Sequence, residues 1–216
     1  IHGPLLCRLE NEKDAAGLVE LGYPMIEVVA CNLYPFSDAA AVQPPLGDLD
    51  LLEMVDIGGP TMVRASAKNH VNVVITCDPE DYSSVLQELS SGNVSLETRR
   101  LLALKAYEHT ASYDSAIANE LASRWIGRPE DSGDTEEQTR RLPNTMSVAA
   151  HRMQTLRYGE NSHQAAALYV DPGALEGKTL VTAKVEGGKA MSYNNYSDAD
   201  ATLRLCRALS TDEWPN

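Results

Sequence analysis

The chain has 216 residues, of which 43% are apolar and 23% are charged, a composition typical of a folded globular protein of one or two domains. Its 31 acidic and 18 basic side chains give a net charge of −13, and no basic stripe of the kind that binds nucleic acid is present. No apolar run approaches the roughly 18 residues of a membrane-spanning helix, so we expect neither a nucleic-acid partner nor a membrane one.

Cysteine and histidine spacing disfavours two common kinds of site. The four cysteines lie far apart, without a C-x-x-C pair: Cys7, Cys31, Cys77 and Cys206. A disulfide framework and a zinc site are therefore both disfavoured, and a reducing cytoplasm is the expected location. Three histidines also lack partners at metal-ligand spacing: His109, His151 and His163. We therefore expect no bound metal.

Strand and helix patterns alternate through the first part of the chain. Two short β-branched runs, at 26–31 and 71–77, predict buried parallel strands. After the second run, Asp78 is placed to cap a helix that ends near Gly92. Apolar residues at three- to four-residue multiples then predict a long helix over 96–125. This order indicates an α/β fold with a parallel sheet.

A polar stretch divides the chain. Residues 127–141 contain no apolar side chain, so they cannot join a core and are predicted to form a solvated linker. Apolar content resumes at 146–150 and 165–170, and a helix is predicted over 198–209. The predicted division is a first domain, an acidic linker and the start of a second domain, at 1–126, 127–144 and 145–216.

The segment NLYPF, at 32–36, directly follows the first predicted strand. Ligands of open α/β sheets bind beyond the carboxyl ends of the strands. There the amide of Asn32 can read a base edge, and the hydroxyl of Tyr34 can donate to a developing oxyanion. The alternative is structural: Tyr34 and Phe36 cover the end of the sheet and Pro35 shapes a turn.

The segment DIGGP, at 56–60, combines an acid, two glycines and a proline that can begin a helix. The N-terminus of that helix would offer N–H groups to an anion, and Lys68 lies near its end. The alternative is that Asp56 forms a turn or cap and Lys68 belongs to a solvated helix end. Only a chain that doubles back would bring the two charges together.

A third candidate is the segment LRYG at 156–159. The guanidinium of Arg157 has the fork shape that reads phosphate or carboxylate, and the ring of Tyr158 can stack on a planar heterocycle. The alternative is a surface ion pair between Arg157 and a carboxylate.

Three separated stretches together resemble one enzyme family, the bifunctional AICAR transformylase/IMP cyclohydrolases of purine biosynthesis. The stretches occur in family order, at 28–36, 56–70 and 156–164. Shorter matches support them at 96–99, 109–114 and 188–195. The resemblance covers nearly the whole chain apart from the linker.

The resemblance implies two activities and two folds. The family transfers a formyl group from 10-formyltetrahydrofolate to AICAR and then closes the ring of formyl-AICAR to give IMP, without a metal. Residues 1–126 would be a methylglyoxal-synthase-like parallel-sheet domain, incomplete at its N-terminus, that carries the cyclohydrolase. Residues 145–216 would begin a cytidine-deaminase-like α/β transformylase domain. The family also implies a homodimer in the cytoplasm.

The resemblance also implies residue roles. Tyr34, Asp56 and Lys68 would close the ring, with Asp56 suited to act as base and Lys68 or Tyr34 to protonate the leaving oxygen; which residue gives and which takes the proton stays open. Nucleotide contacts would come from five residues of the first domain: Cys31, Asn32, Ile57, Gly58 and Gly59. Two residues of the second domain would line the AICAR pocket: Arg157 and Tyr158.

Some family motifs have no counterpart in the chain. The phosphate-binding loops and an Arg-Val-Lys-Thr-Leu-His-Pro motif would precede Ile1, and the transformylase Lys-His motif and folate contacts would follow Asn216. We therefore expect an internal fragment with no transformylase activity and weak or no cyclohydrolase activity. The alternative is a non-catalytic nucleotide-binding or interaction module of the same fold. The presence of Tyr34, Asp56 and Lys68 argues against such a loss of catalytic activity.

Overall fold

The computed structural model describes residues 1–128, 131–170 and 179–209. The chain divides into two compact units, Ile1–Ser147 and Val148–Asn216. The first unit combines a small parallel sheet with helices, which confirms the predicted mixed α/β class. Among the described helices, none combines the length and apolar character that crossing a bilayer requires.

Two helices precede the sheet, α1 (His2–Leu6) and α2 (Glu12–Leu21). The side chain of Asn11 caps α2 by accepting the N–H groups of the second and third residues after it, and Gly22, at φ 65°, ends the helix in the left-handed conformation. Helix α1 packs against the later helix that carries the DIGGP segment.

The sheet consists of β1 (Val28–Ala30) and β2 (Val74–Thr76), which pair in parallel with Val28 opposite Val74. Both strands lie inside the predicted runs but are shorter. The prediction that both are buried is correct for β2 and wrong for β1, where Val28 is 44% exposed. Strand β2 lies between β1 and helices, whereas β1 has β2 as its strand partner among the described residues.

Three helices connect the strands: α3 (Phe36–Ala40), α4 (Asp48–Leu52) and α5 (Gly58–Lys68). The chain then passes from β2 through a 3₁₀ turn, Pro79–Asp81, into α6 (Tyr82–Ser90). Asp78 accepts the N–H of Glu80 and so caps this turn, as predicted, and Gly92 follows the helix at φ 123°.

The longest helix, α7 (Leu96–Trp125), has the predicted bounds. Ser95 caps it by accepting the N–H of Thr98. Helix α7 packs on α5 and β2, and the main core cluster lies between these three elements: Val63, Ala67, Ile75, Cys77, Ala103 and Ala106. Near the end of α7, Arg124 Nη1 donates to the carbonyl of Leu46 at 2.7 Å and so holds the loop before α4.

The predicted linker contains a short helix, α8 (Thr135–Arg140), which sequence analysis missed. Asp134 caps α8, and Arg141 pairs with Glu137 at 3.0 Å. None of its residues is buried, which agrees with the predicted solvation of this segment. Capping and i,i+4 ion pairs favour a helix even where no apolar face exists.

The second unit begins at Val148 and contains an antiparallel pair, β3 (His151–Thr155) and β4 (Ala167–Val170). Helix α9 (Tyr193–Leu209) follows and starts five residues before the predicted helix at 198–209. All five residues of β3 are exposed.

Candidate functional site

The NLYPF segment leaves the sheet at the carboxyl end of β1. The N–H of Cys31 donates to the carbonyl of Thr76 at 3.0 Å, which continues the pairing one residue past β1. The side chain of Asn32 accepts the N–H of Leu33 at 2.9 Å, so it stabilises the start of the turn. Tyr34 is 54% exposed.

The carboxylate of Asp56 lies at the start of α5. Its Oδ1 accepts the N–H of Gly59 at 2.9 Å, which gives Asp56 the turn-forming role considered as an alternative above. Gly59 is buried, and a Cβ on it would overlap the Asp56 carboxylate and lie 2.9 Å from Cδ2 of Leu33. The second glycine of the segment is therefore required by the close approach of the NLYPF segment and the Asp56 turn.

The thiol of Cys31, at the start of the first segment, lies near the Asp56 carboxylate. Burial raises the pKa of the Cys31 thiol, and the nearby Asp56 carboxylate raises it further. A thiol with a raised pKa is a poor nucleophile at neutral pH, so this arrangement suits a contact role for Cys31 better than a covalent one.

Ile57 and Gly58 lie on the open side of the same turn. Ile57 is 75% exposed, and Gly58 is exposed with no atom within 4 Å of the position that a Cβ would occupy. Gly58 therefore leaves the very start of α5 open to solvent, whereas the N–H of the buried Gly59 is already bonded to the Asp56 carboxylate.

Lys68 lies at the other end of α5. It is the last residue of the helix, ten residues after Gly58, so a rise of 1.5 Å per residue separates the two backbones by about 15 Å. Its side chain is exposed and, within the described parts of the chain, forms no ion pair. The structure thus brings the Tyr34 and Asp56 segments together, whereas Lys68 lies at the opposite end of α5.

Asn69 fixes the end of α5 beside Lys68. Its buried Nδ2 donates to the carbonyls of Leu5 at 2.9 Å and Cys7 at 2.7 Å. Sequence analysis missed this role because both partners lie more than 60 residues away in the sequence.

A charged cluster at the carboxyl end of β2 was also missed. The ammonium of Lys105 lies 2.7 Å from Asp78 and 2.9 Å from Asp81. Burial disfavours the charge on Lys105, but hydrogen bonds to these two carboxylates raise its pKa above the usual value. The three side chains join α7 to the chain that leaves β2.

In the second unit, Arg157 and Tyr158 contact each other. Arg157 Nη2 donates to the Tyr158 hydroxyl at 3.1 Å, and its guanidinium carbon lies 4.8 Å from the centroid of that ring. The alternative of a surface ion pair is not found, since Arg157 pairs with no carboxylate among residues 131–170 and 179–209.

Backbone hydrogen bonds hold this Arg–Tyr pair in place. The N–H of Arg157 donates to the carbonyl of Met191 at 3.0 Å, and the N–H of Tyr193 donates to the carbonyl of Tyr158 at 3.1 Å. Gly159 follows in a tight turn, where a Cβ would lie 2.9 Å from Cβ of Gln164. The two side chains therefore project from a backbone that hydrogen bonds hold in place.

Comparisons with known proteins show the family to which the chain is similar. The family model described as AICARFT/IMPCHase bienzyme matches residues 66–214. A protein of Persephonella marina named bifunctional purine biosynthesis protein PurH is 46% identical over 209 residues, which cover 96% of this chain and 38% of that protein. The protein of the same name from Aquifex aeolicus is 44% identical over 216 residues, 100% of this chain and 38% of that protein.

A solved structure titled "Crystal structure of ForH" aligns with 56% of this chain and 63% of its own at 36% identity and a TM-score of 0.48. The chain spans 38% of the length of the two PurH relatives. The family model covers well over half of the chain. The chain therefore belongs to the AICARFT/IMPCHase bienzyme family.

Proposed function

We propose that this chain supplies part of an IMP cyclohydrolase site and the beginning of an AICAR transformylase domain, and that it acts in the last two steps of de novo purine biosynthesis. Family membership and the names of the relatives support this assignment. The structural observation that carries it is the convergence of the Tyr34 loop and the Asp56 turn at the carboxyl end of β1, over the close contact at Gly59.

The domain assignment follows the same proposal. Residues 1–126 would form the methylglyoxal-synthase-like cyclohydrolase domain, for which the parallel β1–β2 pair and the helices packed on it are the supporting features. Residues 127–144 would link it to the start of a cytidine-deaminase-like transformylase domain at 145–216. The substrates would be AICAR, formyl-AICAR and IMP, with 10-formyltetrahydrofolate as formyl donor and no metal, in a cytoplasmic homodimer.

The proposed ring closure makes a bond between the carboxamide nitrogen and the formyl carbon of formyl-AICAR. The formyl oxygen leaves as water, with one hydrogen from the carboxamide and one from the formamide nitrogen. In this proposal the Asp56 carboxylate takes the proton from the carboxamide, and the hydroxyl of the half-exposed Tyr34 donates to the oxygen as charge develops on it.

Lys68 joins this reaction only if the nucleotide lies along α5. The extended side chain of Lys68 is roughly 6 Å long. If it points toward the Asp56 turn, about 9 Å of the 15 Å helix rise remains between its ammonium and that turn. A purine ring with its substituents is of this size, so Asp56 and Lys68 would approach the same ligand from opposite ends. Lys68 would then protonate or stabilise the leaving oxygen, together with Tyr34 or in its place.

In the second unit, we assign Arg157 and Tyr158 to the proposed AICAR pocket. The Tyr158 ring already stacks under a guanidinium, and a planar imidazole carboxamide offers a comparable surface. Arg157 would turn from the Tyr158 hydroxyl to the phosphate or carboxamide of the ligand.

The experiment is conversion of formyl-AICAR to IMP by the chain, beside the variants Asp56→Asn and Lys68→Ala. We expect each variant to lose on the order of 10²- to 10⁴-fold in kcat, as removal of a general acid or base does. Lys13→Ala, which changes an exposed lysine of α2, is the matched control and should retain full activity. Unchanged turnover in Lys68→Ala would remove Lys68 from the mechanism.

The second candidate is a non-catalytic module that binds the nucleotide, favoured by the position of Lys68 at the far end of α5. Calorimetric titration with IMP separates the two functions. Binding of IMP without any conversion of formyl-AICAR would indicate the module, and neither binding nor conversion would contradict both functions for this chain.

A further inference from the structure

We propose that Tyr113, on α7, is a positioning residue that fixes the Asp56 turn against the Tyr34 loop. This inference rests on the proposed cyclohydrolase function, because only then does the placement of Asp56 and Tyr34 affect a reaction. In the sequence, Tyr113 lies in the long predicted helix and in the supporting match at 109–114, and neither gives it a functional role.

The first observation is the double hydrogen bond of the Tyr113 hydroxyl. It accepts the backbone N–H of Asp56 at 2.7 Å and donates to the carbonyl of Met54 at 3.2 Å. One side chain thus satisfies two backbone groups two residues apart, on a loop that lies 57 residues earlier in the sequence. These bonds hold the backbone of the turn from which the Asp56 carboxylate projects.

The second observation is the packing of the Tyr113 ring. It meets the ring of Phe36 edge to face, with centroids 6.4 Å apart and an interplanar angle of 75°. Phe36 is only 1% exposed, and its N–H donates to the carbonyl of Tyr34 at 2.8 Å. The hydroxyl of Tyr113 therefore holds the Asp56 turn, and its ring holds the segment that carries Tyr34.

The surroundings keep the hydroxyl protonated. Burial raises the pKa of Tyr113; the hydrogen bond from the Asp56 backbone opposes this rise, and the nearby Asp56, Asp114 and Tyr34 side chains add to it. A neutral phenol keeps the proton that it donates to the Met54 carbonyl throughout the neutral pH range. The Phe36, Ala39 and Leu51 cluster, against which Tyr113 packs, excludes water from one side of the ring.

A small displacement of the turn would matter for the proposed reaction. A base has to lie within hydrogen-bond reach of the proton that it removes, and an error of about 1 Å in the placement of a reacting group can cost about 10²-fold in rate. The hydrogen bond that the Asp56 carboxylate accepts from Gly59 lies within the turn, whereas the bond from the Asp56 N–H to the Tyr113 hydroxyl joins the turn to helix α7.

The test is Tyr113→Phe, which keeps the ring and its contact with Phe36 but removes the hydroxyl. We expect kcat for the conversion of formyl-AICAR to fall roughly ten- to a hundredfold, with KM changed by less than about threefold. Tyr107→Phe is the matched control, because Tyr107 lies on the same helix and its ring, not its hydroxyl, contacts Arg64, 5.5 Å from the ring centroid. It should match the unsubstituted chain in both constants.

Amide hydrogen exchange gives a readout that does not depend on activity. In the unsubstituted chain the Asp56 amide should be protected, and in Tyr113→Phe its exchange should accelerate at least tenfold while amides in the middle of α7 keep their protection. An unprotected Asp56 amide in the unsubstituted chain would overturn the proposal, even if the variant did not fold. Loss of protection with unchanged kcat would also overturn it.

The exchange data also separate this proposal from the proposed function. If the unsubstituted chain neither converts formyl-AICAR nor binds IMP, the cyclohydrolase assignment fails. The exchange rates of Asp56 and Gly59 then decide alone whether Tyr113 positions the turn: acceleration confined to these amides in Tyr113→Phe supports it, and unchanged rates contradict it.

Discussion

The backbone N–H of Gly59 donates to the carboxylate of Asp56 at 2.9 Å, and the carboxylate occupies the space that a side chain on Gly59 would fill. Leu33, from the loop after β1, contacts the same space from the other side. The glycine is therefore the point at which three segments of the proposed site come within contact distance.

Replacement of Gly59 by alanine should separate these segments. The added Cβ has to displace the Asp56 carboxylate or Leu33, and overpacking of this kind costs about 1–3 kcal/mol. We expect a lower free energy of unfolding in urea denaturation. Gly58→Ala is the control, since nothing lies within 4 Å of its Cβ position and alanine favours the helix by up to about 1 kcal/mol. Equal stability of the two variants would contradict the close contact.

Removal of the Lys105 ammonium should change the pH dependence of stability. Its hydrogen bond to Asp78, together with the backbone N–H of Glu80, lowers the pKa of Asp78. A carboxylate with a lowered folded-state pKa stabilises the fold above its unfolded value, near 4, and this contribution is lost as the pH falls through the folded value.

We therefore expect Lys105→Met to lower the free energy of unfolding by on the order of 1 kcal/mol at pH 7, a modest cost because all three side chains are partly exposed. When the pH falls below about 4, the variant should lose less of its remaining stability than the unsubstituted chain loses. Thermal unfolding between pH 2 and 7 measures both effects. Lys13→Met is the control. Parallel pH profiles for the Lys105→Met variant and the unsubstituted chain would show that Lys105 does not stabilise the ionised Asp78.

Asn69→Ala should destabilise the first unit strongly. The buried amide donates to the carbonyls of Leu5 and Cys7, and both carbonyls lose their donor in the variant. Loss of partners for buried polar groups costs about 1–3 kcal/mol each. The free energy of unfolding from urea titrations measures this, with Asn119→Ala as a control at an exposed asparagine that makes one hydrogen bond. A cost below that of the control would contradict the role of Asn69.

Arg157→Lys should weaken AICAR binding if Arg157 belongs to the proposed pocket. A lysine keeps the charge but loses the planar fork and the stack on Tyr158, so we expect about a tenfold rise in Kd by calorimetry. Arg152→Lys, at an exposed position of β3, is the matched control. Equal affinities for the two variants would place the AICAR pocket elsewhere.

The sequence predicts those features that depend on neighbours in the chain. The apolar period predicts α7 over its observed range, and Asp78 caps the turn after β2 as expected. At Gly59 the groups that approach the backbone closely are the Asp56 carboxylate and Leu33, and an approach of a ligand to the paired glycines stays a prediction. Whether Tyr34, Asp56 and Lys68 act together stays a prediction.

Other features depend on contacts between distant parts of the chain. The hydroxyl of Tyr113 and the amide of Asn69 find their partners 57 or more residues away, and no local pattern marks either residue. The exposure of Val28 depends on how many strands flank β1, which a β-branched run cannot reveal. Helix α8 was missed because capping and ion pairs, not an apolar face, stabilise it.

Three side chains of helix α7 bind three separate loops of the first unit. Lys105 holds the chain after β2, Tyr113 holds the Asp56 turn, and Arg124 holds the loop before α4, at points about 12 and 16 Å apart along the helix. A small rotation or tilt of α7 would therefore move all three loops in concert. Substitutions on this helix can thus change the rate of a reaction whose proposed chemical groups all lie on other elements, which makes α7 a target for altering activity without touching the residues that would meet the substrate.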